Sequence, residues 1–166
     1  AVDMQSLVAD TRAMLDSNLQ AEAEASGHVH QVEWNIAPLP IVVGDENMIR
    51  QVWLNLLGNA VKYSGNREPA KIRVDYQPQP DGGHQFTVSD NGAGFDMAYA
   101  GKLFGVFQRL HKASDYPGTG IGLASVRRVL TRHGGRIWAE AEPDVGATFH
   151  FYLPPAIDAD KQGPSA

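Results

Sequence analysis

The sequence predicts an α+β fold, a two-layer sandwich in which three main helices cover one face of a single sheet. Three observations support this fold class. Apolar residues recur with helical spacing in three separate segments, strand-like segments come in pairs between them, and glycine and proline mark the intervening turns. Because the strands come in pairs and do not alternate singly with helices, a parallel sheet of repeated strand–helix–strand units is disfavoured.

The three predicted helices differ in how clearly their ends are marked. The first runs from residue 3 to about residue 25, with Asp3 as a candidate N-cap. The third runs from residue 121 to about residue 133 and ends at the glycine pair 134–135. The second follows Asp45 and has the strongest period. Its apolar residues recur at three- and four-residue steps: Ile49, Val52, Trp53, Leu56, Leu57, Ala60 and Val61.

Six segments show the alternation or the short apolar run that is typical of a strand. They cover residues 32–36, 41–43, 71–76, 85–90, 136–141 and 147–153. The stretch from 91 to 119 has neither period and is longer than most connections in compact domains, which is typical of a functional or mobile loop. We therefore expect one domain over residues 1–153 and a flexible C-terminal tail over residues 154–166.

The composition argues against several classes of function. A formal net charge of -5 disfavours nucleic acid as a partner, because binding to a phosphate backbone needs a basic surface. The absence of cysteine excludes disulfides and thiolate metal sites, and the six histidines show no zinc-binding spacing. No apolar run is long enough to cross a bilayer, and the first residues show no signal-peptide pattern. A cytoplasmic domain without membrane contact is expected.

Three polar residues of the second helix share one narrow stripe. Asn55, Asn59 and Lys62 are four and three residues apart and so project from the same side. An asparagine carbonyl is a suitable oxygen ligand for Mg²⁺, and the lysine adds a positive charge that can bind phosphate. The alternative is an ordinary solvated face, although asparagine is a poor helix former.

A glycine-rich turn follows the strand at 85–90. Residues 90–94 read Asp-Asn-Gly-Ala-Gly, so an acid ends the strand and glycines stand where the backbone must turn or approach a ligand closely. Such a carboxylate can accept a hydrogen bond from an exocyclic amine, and the alternative is a turn capped by Asp and Asn. The spacing is not the dinucleotide-binding fingerprint, which needs glycine where Met97 stands.

A second glycine-rich segment opens the third helix. Residues 118–123 read Gly-Thr-Gly-Ile-Gly-Leu, and the unpaired N–H groups of a first helical turn, together with the helix dipole, form a ready anion site. Glycine in a first helical turn costs about 1 kcal/mol of stability relative to alanine. The alternative, a purely structural role, would have to account for that cost at two positions. The Gly-Lys pair at 101–102 lacks the other residues of a P-loop.

Together and in this order, the three motifs resemble the N, G1 and G2 boxes of the histidine kinase catalytic domain, a branch of the GHKL ATPase superfamily. Three more segments extend the resemblance: Gly-Asp at 44–45, Phe-Gly-Val-Phe at 104–107, which looks like the F box, and Gly-Ala-Thr-Phe at 146–149. The resemblance implies a mixed, mostly antiparallel sheet. The sequence looks most like kinases attached to PAS or phytochrome-type sensors.

The resemblance implies a two-component signalling enzyme. The domain would bind ATP and Mg²⁺ and transfer the γ-phosphoryl group to a histidine on a separate dimerisation and phosphoacceptor domain of a homodimeric full-length kinase, with a response regulator downstream. Related ATPases that hydrolyse ATP carry glutamate at the position of Asn55. An amide cannot take a proton from water, which favours transfer over hydrolysis. Two alternatives remain, namely another GHKL-type ATPase and a non-catalytic nucleotide-binding module.

The resemblance also implies a role for each site residue. Asn59 is the expected Mg²⁺ ligand, Tyr63 is expected against the adenine ring, and Asp90 is expected to read the adenine amine with direct or water-mediated support from Thr148. The implied catalytic residues are Asn55, Lys62 and Arg109. The implied ATP-binding residues are Asn59, Lys62, Tyr63, Asp90, Gly92, Gly94, Gly118, Thr119, Gly120, Ile121, Gly122, Leu123 and Thr148.

Two further expectations concern the lid and the phosphate acceptor. Residues 96–117 correspond to the family's ATP lid, with Phe104 and Phe107 as its hydrophobic anchor, although these two side chains could equally be ordinary core. No histidine of this chain has the sequence context of the family's phosphoacceptor. We therefore expect all six to be structural or surface residues: His28, His30, His84, His111, His133 and His150.

Overall fold

The structure, a computed structural model, describes residues 1–65, 67–98, 103–104 and 122–155. These residues form three helices: α1 (Met4–Ser26), α2 (Glu46–Tyr63) and α3 (Gly122–Arg132). The predicted cap of α1 is in place, because the side chain of Asp3 accepts a hydrogen bond from the N–H of Ser6. Asp45 caps α2 in the same way by accepting from the N–H of Met48. Within the described ranges, no helix is both long and apolar enough to span a membrane.

Seven strands accompany the helices in the part of the chain that the structure describes. They are β1 (Val2–Asp3), β2 (Val32–Ile36), β3 (Ile41–Val42), β4 (Ala70–Pro78), β5 (His84–Asp90), β6 (Arg136–Glu142) and β7 (Gly146–Leu153). Five form one sheet in the order β2-β4-β5-β7-β6, in which β2 and β4 are parallel and the other neighbours antiparallel. The prediction of a mixed, mostly antiparallel sheet with helices on one face is confirmed. The short antiparallel pair of β1 and β3 was not predicted.

The core lies between α2 and the sheet. All seven apolar residues predicted for α2 are buried, and Trp53 is completely enclosed. Its ring meets Phe86 of β5 edge-on at 5.6 Å between centroids and Phe151 of β7 at 5.2 Å. Since α2 packs on β4 and β5 while α3 packs on β6 and β7, the two helices cover the same face. The C-terminal end of α2 lies beside the end of β5, because Tyr63 is hydrogen-bonded to the loop that follows this strand.

Candidate functional site

The C-terminal end of α2 touches the glycine-rich loop that follows β5. The N–H of Ala93 donates to the carbonyl of Tyr63 over 2.9 Å. A Cβ atom on Gly92 would lie 2.2 Å from that same carbonyl oxygen and 2.9 Å from the backbone nitrogen of Ser64. Only glycine permits so close an approach. The fold therefore brings the C-terminal end of α2, the helix that carries the polar stripe, into direct backbone contact with the turn at 90–94.

Asp90 is the last residue of β5 and lies on the helix-covered face, in phase with the buried Phe86 and Val88. Its carboxylate accepts a hydrogen bond from the N–H of Gly92 over 2.9 Å. Burial raises the pKa of Asp90 to about 6, against the opposing effect of hydrogen bonds from the backbone N–H groups of Gly92 and Ala147. A desolvated carboxylate with a strongly shifted pKa is typical of a functional site.

The raised pKa of Asp90 predicts a pH-dependent cost to the stability of the unliganded protein. Because the folded state holds the proton more tightly than the unfolded state, this cost is absent below about pH 4 and grows to about 3 kcal/mol as the pH rises through about 6. The variant Asp90→Asn lacks the ionisation. In urea unfolding, its stability relative to the wild type is expected to increase between about pH 4 and about pH 7. A difference that does not change with pH would contradict the desolvation of this carboxylate.

The turn between β6 and β7 closes on the same loop. Gly94 has a left-handed φ of 62°, and a Cβ atom there would lie 2.1 Å from the carbonyl oxygen of Glu142. A Cβ atom on Gly146 would lie 2.1 Å from the carbonyl oxygen of Asp90. The end of β5 is therefore held between α2 on one side and the β6–β7 turn on the other, and glycine is required at both contacts.

The predicted polar stripe lies on the last turns of α2. Asn55, Asn59 and Lys62 are all half-buried. The side-chain amide of Asn55 donates to the carbonyl of Gln51 over 2.9 Å, one turn back in its own helix. The ammonium of Lys62 lies 4.8 Å from the centroid of the Tyr63 ring, within the range of a cation–π contact. The stripe thus offers an amide oxygen and a positive charge close to the junction with the glycine-rich loop.

Thr148 is not where the resemblance led us to expect it. In the pairing of β5 with β7, Asp90 lies opposite Ala147, while Ser89 lies opposite Thr148. The two hydroxyl oxygens of Ser89 and Thr148 are 3.3 Å apart. Because consecutive side chains of a strand point to opposite faces, Thr148 lies on the uncovered face of the sheet and Asp90 on the covered face. Direct support of Asp90 by the Thr148 side chain is therefore not seen, and water-mediated support stays a prediction. Hydrogen bonding from the backbone N–H of Ala147 lowers the pKa of Asp90 against the effect of burial.

The third motif is described only in part. Gly122 is the first residue of α3, and Leu123 packs on the core. Phe104 also packs on the core, with its ring edge-on to Phe149 at 6.5 Å. Several residues and ranges of the predicted site lie outside the described residues: Arg109, Gly118, Thr119, Gly120, Ile121, the lid residue Phe107, the lid stretches 99–102 and 105–117, and the tail from residue 156.

Two residues of the junction were missed by sequence reasoning. Arg67 donates hydrogen bonds to three backbone carbonyls of the loop and the turn. Asn91 was predicted only as a turn residue. Its side chain accepts from the N–H of Lys71 over 2.8 Å and donates to the carbonyl of Pro69 over 3.2 Å. No periodicity or motif marks Arg67, whereas the position of Asn91 after the site carboxylate could have drawn attention to it.

The histidines of the described residues all have partners within the domain. His28 contacts the carboxylate of Glu68, and His30 contacts the carbonyl of Ser64. His84 is hydrogen-bonded to the hydroxyl of Tyr76. Of the remaining two, His133 is hydrogen-bonded to the backbone carbonyl of Val129, and His150 is hydrogen-bonded to the side chain of Thr87. These contacts agree with the structural roles expected for them, and His111 lies outside the described ranges.

The comparisons with known proteins agree with the motifs. A family model described as histidine kinase-, DNA gyrase B-, and HSP90-like ATPase matches residues 44–157. The chain is 38% identical over 138 residues to the phytochrome-like protein Cph1 of Synechocystis sp., covering 83% of this chain and 18% of that protein. It is 42% identical over 116 residues to the adaptive-response sensory kinase SasA of Thermosynechococcus vestitus, covering 70% of this chain and 30% of that protein. The chain thus spans less than a third of either relative.

Solved structures show the same fold. The mycobacterial sensor histidine kinase MprB superposes with a TM-score of 0.75 and 25% identity, over 92% of this chain and 95% of that one. Full-length ShkA, in complex with AMPPNP, superposes with a TM-score of 0.73 and 26% identity, over 94% of this chain and 31% of that one. Since the family model covers more than half of the sequence, the chain belongs to the histidine kinase-, DNA gyrase B-, and HSP90-like ATPase family.

Proposed function

We propose that this chain is the ATP-binding catalytic domain of a sensor histidine kinase. It binds ATP with Mg²⁺ and transfers the γ-phosphoryl group to a histidine on a separate phosphoacceptor domain. The observation that carries the proposal is Asp90, a desolvated carboxylate that ends β5 and is held by the N–H of Gly92 against the end of α2. Relatives named as kinases, and one solved relative in complex with an ATP analogue, support it.

Recognition of adenine is assigned to Asp90. A carboxylate at this position accepts a hydrogen bond from the exocyclic amine, and the burial of Asp90 reduces the competition from water for that bond. The ring of Tyr63 is assigned to the adenine, since the backbone of that residue already contacts the loop at Gly92 and Ala93. The selectivity for adenine over guanine follows, because guanine presents a carbonyl where adenine presents a donor.

The stripe on α2 is assigned to the phosphates. Asn59 fits a Mg²⁺ site, because its amide oxygen is a hard neutral ligand on a half-buried side chain, and the charge of the metal is left for the phosphates to balance. When bound, the metal neutralises negative charge on the transferring group. Lys62 adds a point charge beside it. The glycines at the start of α3, together with Arg109, are proposed to hold the remaining phosphate oxygens.

Asn55 favours transfer over hydrolysis. A glutamate one turn before Asn59 could take a proton from water, whereas the amide of Asn55 cannot, and its N–H already donates to Gln51. The proposed acceptor is therefore a histidine on the phosphoacceptor domain of a homodimeric kinase. A response regulator would receive the phosphoryl group next, which makes the reaction part of a two-component system in the cytoplasm.

The test combines ATP binding and phosphoryl transfer. ATP is expected to bind more tightly with Mg²⁺ than without it, and Asn59→Ala is expected to abolish most of that difference. Asn35→Ala, on the exposed part of β2, serves as the control. With radiolabelled ATP, the chain is expected to label an added cognate helical hairpin but not itself. Failure to bind ATP would overturn the proposal, and acid-labile label on the chain alone would show that one of its own histidines is the acceptor.

A further inference from the structure

Arg67 joins three segments that meet at the end of β5. It lies four residues beyond the end of α2. Among the described residues, its guanidinium donates to backbone carbonyls. The Nε atom donates to Asn91 over 2.8 Å, and the Nη2 atom donates to Gly92 over 3.3 Å and to Asp144 in the β6–β7 turn. A planar guanidinium can serve several acceptors at fixed angles at once, which a lysine ammonium on a flexible stem does less well.

Backbone hydrogen bonds connect the same segments. The N–H of Asp144 donates to the carbonyl of Ala93 over 2.7 Å, and the N–H of Ala93 donates to Tyr63 over 2.9 Å. The backbone N–H of Arg67 itself donates to Ser64 over 3.0 Å. The guanidinium therefore closes a ring of contacts that runs from α2 through the loop after β5 to the β6–β7 turn and back.

One peptide group links Arg67 to Asp90. The carbonyl of Asn91 accepts from the guanidinium, and the N–H of the same peptide group, which belongs to Gly92, donates to the carboxylate of Asp90 over 2.9 Å. A positive group on the carbonyl side polarises the peptide and strengthens the N–H as a donor. The orientation of this peptide group thus depends on Arg67, and the orientation of the carboxylate depends on the peptide group.

We propose that Arg67 is a positioning residue for adenine recognition. Its guanidinium fixes the Asn91–Gly92 peptide group, which holds the carboxylate of Asp90 in the orientation that accepts the adenine amine. Arg67 touches neither nucleotide nor metal in this scheme and acts only through Asp90. The inference rests on the proposed function, because it assigns a supporting residue to the adenine site described above.

The experiment compares ATP with inosine triphosphate, in which a carbonyl replaces the exocyclic amine. In the wild type, ATP is expected to bind at least tenfold more tightly than inosine triphosphate. Arg67→Gln is expected to weaken ATP binding about tenfold and to change binding of inosine triphosphate less than twofold. Arg67→Lys is expected to weaken ATP binding about threefold. Arg73→Gln, at an exposed arginine paired with Asp75 on the uncovered face of the sheet, is the matched control and is expected to leave both affinities unchanged.

A double-mutant cycle tests whether Arg67 acts through Asp90. In an Asp90→Asn background, Arg67→Gln is expected to have less than a twofold further effect on ATP binding, because the carboxylate it positions is gone. If the Gln variant does not fold, the Lys variant is used in the same cycle. Equal loss of both nucleotides, or full additivity with Asp90→Asn, would overturn this inference and leave the proposed function intact. A wild-type chain that binds no ATP would overturn the proposed function itself.

Discussion

Asp90→Asn is expected to weaken ATP binding by about 100-fold, or about 2.7 kcal/mol. The carboxylate can only accept, so it matches the adenine amine, which is a donor. An asparagine there can turn its own NH₂ group toward that amine and so leave two donors facing each other in a desolvated pocket. Charge-assisted hydrogen bonds are also stronger than neutral ones, and this contribution disappears with the ionised group.

The same substitution is expected to stabilise the unliganded protein at neutral pH, because it removes the desolvated charge of Asp90. Loss of binding together with a gain in stability would separate damage to the site from damage to the fold. Asp75→Asn, on the uncovered face of β4, is the matched control and is expected to keep ATP affinity. Calorimetric titration with ATP and GTP measures the loss of affinity and the selectivity for adenine. Urea unfolding measures the gain in stability. Equal affinity of the wild type for ATP and GTP, or an unaffected Asp90→Asn variant, would contradict the assignment of the adenine site.

Helical periodicity was sufficient to place α2, because a helix that buries one face has apolar residues at regular three- and four-residue intervals. Ile49, Trp53 and Ala60 are among the seven predicted residues, and all seven are buried. The cap of α1 at Asp3 was predicted as well, since a capping side chain acts over three residues only. These are local features, and local features can be read from a single sequence.

Features that depend on long-range register were harder to predict. The strands that contain Asp90 and Thr148 were both predicted. The residues of either segment do not determine the pairing register, that is, which residues of the two strands lie opposite each other. A shift of one residue moves every side chain to the other face, so the sequence alone could not show that Thr148 lies opposite Ser89 and not opposite Asp90. Arg67 escaped notice for a related reason. Its three acceptors belong to segments 24 to 77 residues away, and backbone carbonyls carry no sequence signal.

Gly92→Ala is expected to destabilise the protein by about 3 kcal/mol and to lower ATP affinity at the same time. The added methyl group would lie 2.2 Å from the carbonyl oxygen of Tyr63, where no flexible side chain can move aside. Forcing the loop away from α2 costs about 1 to 3 kcal/mol for overpacking and about 1 kcal/mol for the hydrogen bond from Ala93. The displaced peptide would also withdraw its N–H from Asp90.

Gly58→Ala is the matched control, because this glycine lies inside α2 and, among the described residues, no atom outside its own helical backbone lies within 4 Å of an added Cβ. Alanine there is expected to stabilise the protein by about 0.5 to 1 kcal/mol, since glycine is the poorer helix former. Urea unfolding of the two variants should therefore give changes of opposite sign. If Gly92→Ala were as well tolerated as Gly58→Ala, the loop after β5 would be free to move away from Tyr63. The close contact between α2 and the adenine site could then not be what positions Asp90.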